Sequence, residues 1–181
     1  TTNAITIEKE DALLDKQYEK YTELINNYMS TFISEFTNQA MDNKDYFTIE
    51  ERHIGTASNE GETISRHMDK NGDIVRYKII AYGETGKSEQ NYYILDSNTI
   101  YINILLSEYS CKIMSKYSGD VIYYSVANYI IDNGKACAID FDDKKVKEMP
   151  NDIGIFTISS LEEIFNSSDK FRNFIVVIFF P

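Results

Sequence analysis

A strand–turn–strand pattern recurs three times between Thr63 and Phe141. Thr63 to Met68 and Asp73 to Tyr82 flank Asp69-Lys70-Asn71-Gly72, where Asn-Gly supplies the positive φ angles of a tight hairpin turn. Gln90 to Leu95 and Thr99 to Leu106 flank Asp96-Ser97-Asn98, and Val121 to Ile131 and Lys135 to Phe141 flank Asp132-Asn133-Gly134. Parallel strands need crossovers of about a dozen residues or more, so connections this short predict an antiparallel meander of at least six strands. Tyr109 to Tyr117 is a further strand or a bridge, Glu50 to Gly61 an irregular polar connection, and Phe174 to Phe180 an apolar closing strand. Alternation sorts Val75, Tyr77, Ile79, Ile100, Ile102, Ile104, Ile122, Tyr124, Val126, Cys137, Ile139 and Phe141 onto one face, expected to be the core. The other face then carries Arg76, Lys78, Tyr82, Tyr101, Asn103, Tyr123, Tyr129 and Asp140.

Ahead of the hairpins the period changes. Leu14, Tyr18, Tyr21, Ile25, Tyr28, Phe32 and Phe36 recur at steps of three and four, as on a helix facing a core, and Leu13, Leu24, Met29 and Ile33 widen the stripe. No Pro or Gly interrupts Glu8 to Met41. At ~1.5 Å per residue such a helix is about 50 Å long, more than a small sheet is wide, so it bends, breaks or projects. Ser159 or Ser160, followed three residues later by Glu162 or Glu163, predicts a capping box and a short second helix ending near Asn166. The expected fold class is therefore α+β, a long N-terminal helix packed on an antiparallel β-meander of three hairpins, with a short C-terminal helix and strand. The 181 residues are read as one domain with a helical part at 1–45, a hairpin sheet at 62–145 and a C-terminal helix and strand at 155–181.

Charge narrows the function. The chain carries 18 basic and 29 acidic residues, a net −11 with a pI near 4.6, which argues against a nucleic-acid binder. Twelve acids and five bases fall in residues 1–60, so the negative charge concentrates in the first third. There, Asp11, Asp15, Glu19 and Glu23 follow one another at intervals of four along one helix ridge. Like charges so placed cost roughly 0.2–0.5 kcal/mol per pair, so the ridge is either a solvated face or a surface for a basic partner.

Chemistry-bearing motifs do not emerge. Asp69-Lys70-Asn71-Gly72-Asp73 imitates the start of a calcium-binding EF-hand loop, but Ile74 stands where glycine is required and Ile80 where the bidentate glutamate is required. Asp140, Asp142 and Asp143 read as a solvated strand end, and Glu84-Thr85-Gly86-Lys87-Ser88 lacks the upstream glycine of a phosphate loop, Ala81 standing there. His53 falls in the polar connection and His67 on the outer side of a strand, with no catalytic partner legible beside either. Cys111 and Cys137 have neither metal nor redox spacing and read as two buried thiols or one disulfide. No cofactor, metal or enzyme activity is expected.

The helical N-terminal part, the hairpins and the acidic, Lys-, Asn- and Ile-rich composition together resemble the exported immunity proteins that protect Gram-positive bacteria from their own secreted antibacterial toxins. The resemblance implies an inhibitor that occludes a toxin's active site at the extracellular face of the cell membrane. The chain starts at Thr1, which fits a processed or trimmed form, and membrane contact is expected only through an anchor outside it. The expected activity is thus non-enzymatic protein binding. The candidate binding residues are Asp11, Asp15, Glu19 and Glu23 on the helix, and Lys78, Tyr101, Asn103, Tyr123, Tyr129 and Asp140 on the outer sheet face. Two other readings of the same pattern are a surface lipoprotein domain for a small ligand and a nuclear-transport-factor-like subunit of a secretion machine.

Overall fold

A computed structural model describes residues 2–42, 46–54, 61–83, 86–109, 121–149 and 156–167. Helix α1 spans Thr2–Asp42. The strands are β1 (Thr48–Ile54), β2 (Glu62–Met68), β3 (Ile74–Gly83), β4 (Gly86–Ile94), β5 (Thr99–Tyr109), β6 (Val121–Asp132), β7 (Lys135–Asp140) and β8 (Lys145–Glu148), and α2 spans Ile158–Asn166. All eight strands pair antiparallel with their sequence neighbours, in the order β1 to β8. The fold is the expected α+β meander. Its turns follow from local chemistry: Gly72 has φ +86°, Asp69 accepts the Asn71 and Asp73 amides at 2.8 and 3.0 Å, and Asn133 and Gly134 both have positive φ.

Two sequence readings are corrected. The connection at Glu50–Gly61 begins as a strand, because Thr48–Ile54 pairs in full register with β2. Alternating charges hide it, since an edge strand is free to carry Glu50, Glu51, Arg52 and His53. The cap of α2 is Thr157 rather than Ser159 or Ser160, its hydroxyl accepting the Ser160 amide at 3.2 Å. The expected strands at Tyr109–Tyr117 and Phe174–Phe180 fall largely or wholly outside the described residues, as does Cys111.

The helix runs across the strands. Tyr21 reaches Asp132 at the β6–β7 turn, Phe32 meets Tyr93 of β4 edge to face, and Phe36 lies by His67 of β2. From Tyr21 to Phe36 is about 22 Å of helix, which matches four or five strand spacings of ~4.8 Å. The whole of α1 is about 62 Å long against a sheet about 34 Å wide, so its first turns overhang.

Both sheet faces are covered, and this overturns the expected sorting of faces. One core lies under α1 and joins Tyr21, Ile25 and Phe32 to Tyr93, Tyr101, Ile130, Cys137, Ile139 and Val146. The other lies under α2 and joins Leu161, Ile164 and Phe165 to Ile64, Tyr77, Ile79, Tyr92, Ile100 and Ile102. The residues expected beneath the long helix therefore divide. Cys137 and Ile139 are there, while Tyr77, Ile79, Ile100 and Ile102 serve the opposite core. Arg52 and Arg66 hold α2 down by flanking the Phe165 ring at 4.4 and 4.3 Å. Leu13, Ile33 and Phe36, counted in the helix stripe, are instead exposed.

Candidate functional site

The face under α1 is unusually polar for a core. Arg76 is 9% exposed and His67 3%, and the guanidinium lies 2.8 Å from His67 Nε2 with the rings of Phe32, Phe36 and Tyr93 around it. Burial first, then the charges of Arg76 and Lys78, push the His67 pKa down to about 3, so this imidazole is neutral at pH 7. The sequence reading placed His67 on an outer surface; the structure puts it inside, beneath Phe36.

One row further along the same face, Lys78, Asn91, Asn103 and Asn128 are successive cross-strand partners. Lys78 binds Glu89 at 3.1 Å, and Asn91 Nδ2 donates to the same carboxylate. Burial raises the Glu89 pKa, but these bonds outweigh it and hold the carboxyl below its ordinary value. Asn128 Oδ1 accepts both the Tyr101 hydroxyl at 2.8 Å and Asn103 Nδ2 at 3.0 Å.

Beyond Asn128 the sheet opens. β6 pairs with β7 only from Tyr129 to Asp132, and β7 then turns away to pair with β8. The divergence leaves a cleft of about 790 Å³, lined by Val126, Ala127, Asn128, Tyr129, Ala138, Ile139, Asp140, Phe141, Asp142, Lys145, Val146 and Lys147. That volume is within the range of ligand-binding clefts. Val126 and Phe141 are 47% and 37% exposed, an apolar pair open to solvent. At the rim, Asp140 Oδ1 accepts the Asp142 and Asp143 amides and fixes the turn into β8.

The candidate residues thus separate into three places. Tyr129 and Asp140 meet in the cleft. Tyr101, Asn103 and Lys78 do not form an outer face, because all three lie on the α1 side. Tyr101 is 7% exposed, and burial, aided by Tyr93, pushes its hydroxyl up to about 12. Tyr101 and Asn103 nevertheless adjoin the cleft through Asn128, which sequence reasoning missed. Its signal was register: Asn91, Asn103 and Asn128 stand opposite one another on three strands. Asp15, Glu19 and Glu23 are exposed along α1, as the ridge requires. Asp11 lies in α1 and Tyr123 in β6, opposite Glu108, but the side chains of both fall outside the described residues.

Chemically the cleft offers amide, phenol, carboxylate and ammonium groups around an apolar floor, a set suited to holding a ligand. Among the described residues no group of three His, Cys, Asp or Glu side chains is placed to hold a metal ion. These features define an α+β class, a fully consecutive antiparallel sheet crossed by one long helix and backed by a short one. No family model matches the chain, and neither does any curated protein or solved structure.

Proposed function

We propose that this chain is a protein-binding domain that seats its partner in the cleft between β6 and the β7–β8 hairpin. The observation that carries the reading is the opening of the sheet at Asn128, which presents Val126 and Phe141 to solvent beside Tyr129 and Asp140. Exposed apolar side chains rimmed by charges are the usual make-up of an interface. The acidic ridge of α1 supports the same reading by adding a field that attracts a basic partner surface. In its most specific form the domain is an extracellular inhibitor that neutralises a secreted bacterial toxin, a role consistent with the acidic charge.

Capture of partners from the native cell by the wild-type chain and by Phe141→Lys tests this. Phe141 is an exposed turn residue, so the substitution costs only modest stability, which circular dichroism of the variant checks. Loss of a specific protein with the variant is the expected result. An unchanged capture profile would move the interface away from the cleft.

A further inference from the structure

The two outer strands are blunted by charge. β1 carries Glu50, Glu51, Arg52 and His53, and β8 carries Lys145, Lys147 and Glu148, side chains that oppose pairing with a further strand. Among the described residues a third edge lies inside the sheet, and that edge carries no such charges. β6 pairs with β5 from Val121 to Asp132, yet among the described residues no strand pairs with Val121–Asn128 on the β7 side. From Val121 to Ile131 the strand contains no charged residue and no proline. Asp132 and Lys135 are the closing pair of the two-residue turn Asn133-Gly134, so the Asp132 amide points toward β7. Successive residues of a strand point their amides in opposite directions, so those of Ile122, Tyr124, Val126 and Asn128 turn toward the cleft.

The cleft walls differ in chemistry. Val126, Ile139 and Val146 lie on the α1 face, whereas the cross-strand pairs Asp140–Lys145 and Ala138–Lys147 lie on the other. The geometry points to strand addition: an extended segment of the protein partner, alternating apolar and charged residues, completes the ladder on β6 at Ile122–Asn128. Its apolar side chains face Val126, at the rim of the core that holds Ile139 and Val146, and its charged ones face Asp140, Lys145 and Lys147. Main-chain bonds supply affinity and the two walls supply selectivity. An all-apolar segment is a poorer occupant, since every second side chain would meet those charges.

This inference rests on the protein-binding reading and is tested on the full chain with a defined probe. The probe is an acetylated, amidated peptide of alternating valine with lysine or glutamate, and amide exchange at Tyr124 and Val126 is followed by NMR. In the free chain these amides exchange quickly, and the peptide slows them by about tenfold or more. Val126→Pro, which removes a central donor of that row, abolishes the protection at Tyr124. A peptide N-methylated at the positions facing β6 does the same without altering the protein. Amides already protected in the free chain would assign the edge to one of its own segments and overturn the inference. So would peptide binding indifferent to N-methylation, or no binding at millimolar peptide. Native partner capture that survives Val126→Pro but not Phe141→Lys would remove strand addition while leaving the protein-binding reading in place.

Discussion

Phe32 and Phe36 occupy equivalent places on α1 and carry different weight. Phe32 is 6% exposed among Tyr28, Phe36, Phe47, Tyr93 and the Arg76 guanidinium, so Phe32→Ala should cost about 3–5 kcal/mol by urea unfolding. Phe36, at 40% exposed, should cost less than half of that. His67 sets a pH dependence. Its folded pKa lies at about 3, below the ordinary ~6.5, so the unfolded chain takes up a proton that the folded chain refuses. Stability contributed by neutral His67 is present above pH ~6.5 and falls as pH drops toward 3, by up to ~1.4 kcal/mol per unit. His67→Gln keeps an acceptor for Arg76 and should flatten urea midpoints between about pH 6.5 and 4.5, before carboxylates titrate. Cys137 is 1% exposed with its thiol pushed up by burial and then by the charges of Glu148 and Asp132. Iodoacetamide should label it only after unfolding.

Among the elements, the hairpins are stapled by backbone geometry and α1 by side chains. A Cβ built on Gly86 would stand 2.1 Å from the Ser107 carbonyl oxygen, a clash with backbone that no rotamer relieves. Gly86→Ala should therefore cost about 2 kcal/mol or more, read as a lowered thermal midpoint, although the segment around it superficially imitates a phosphate loop. The N-terminal half of α1 is tied to the β6–β7 turn at Asp132, which accepts from Lys20 at 2.8 Å and Tyr21 at 3.2 Å and from the Asn133 amide. Lys20 is exposed and Asp132 is not, so Lys20→Ala should cost below ~1 kcal/mol. Asp132→Ala, which removes the acceptor of the Tyr21 hydroxyl as well and leaves it only the bond from Gln17, should cost more; denaturation of both variants decides the order.

For the whole molecule, the proposed binding assigns encounter to the charge concentrated on α1 and residence to the cleft. Reversing Asp15, Glu19 and Glu23 to lysine should slow association with a captured partner and flatten its salt dependence, while Phe141→Lys should speed dissociation; surface plasmon resonance at two ionic strengths separates the effects. Much of this architecture was legible beforehand, because it follows from local rules. The apolar stripe from Tyr18 to Phe32 demands a helix, and Asn71-Gly72 and Asn133-Gly134 demand tight turns. The acidic ridge was legible too, since helical spacing alone places Asp15, Glu19 and Glu23 on one side. Face assignment was not. Period two says that Tyr92 and Tyr93 point opposite ways, but with both faces buried it holds no information on which of them lies under α1. For the same reason Tyr101, expected outside, is in the core. The cleft depends on where β7 leaves β6 for β8, a choice made between strands rather than within one. Local sequence determined the elements and their turns through short-range sterics and periodicity, whereas only tertiary packing decided which residues are covered and where the sheet opens.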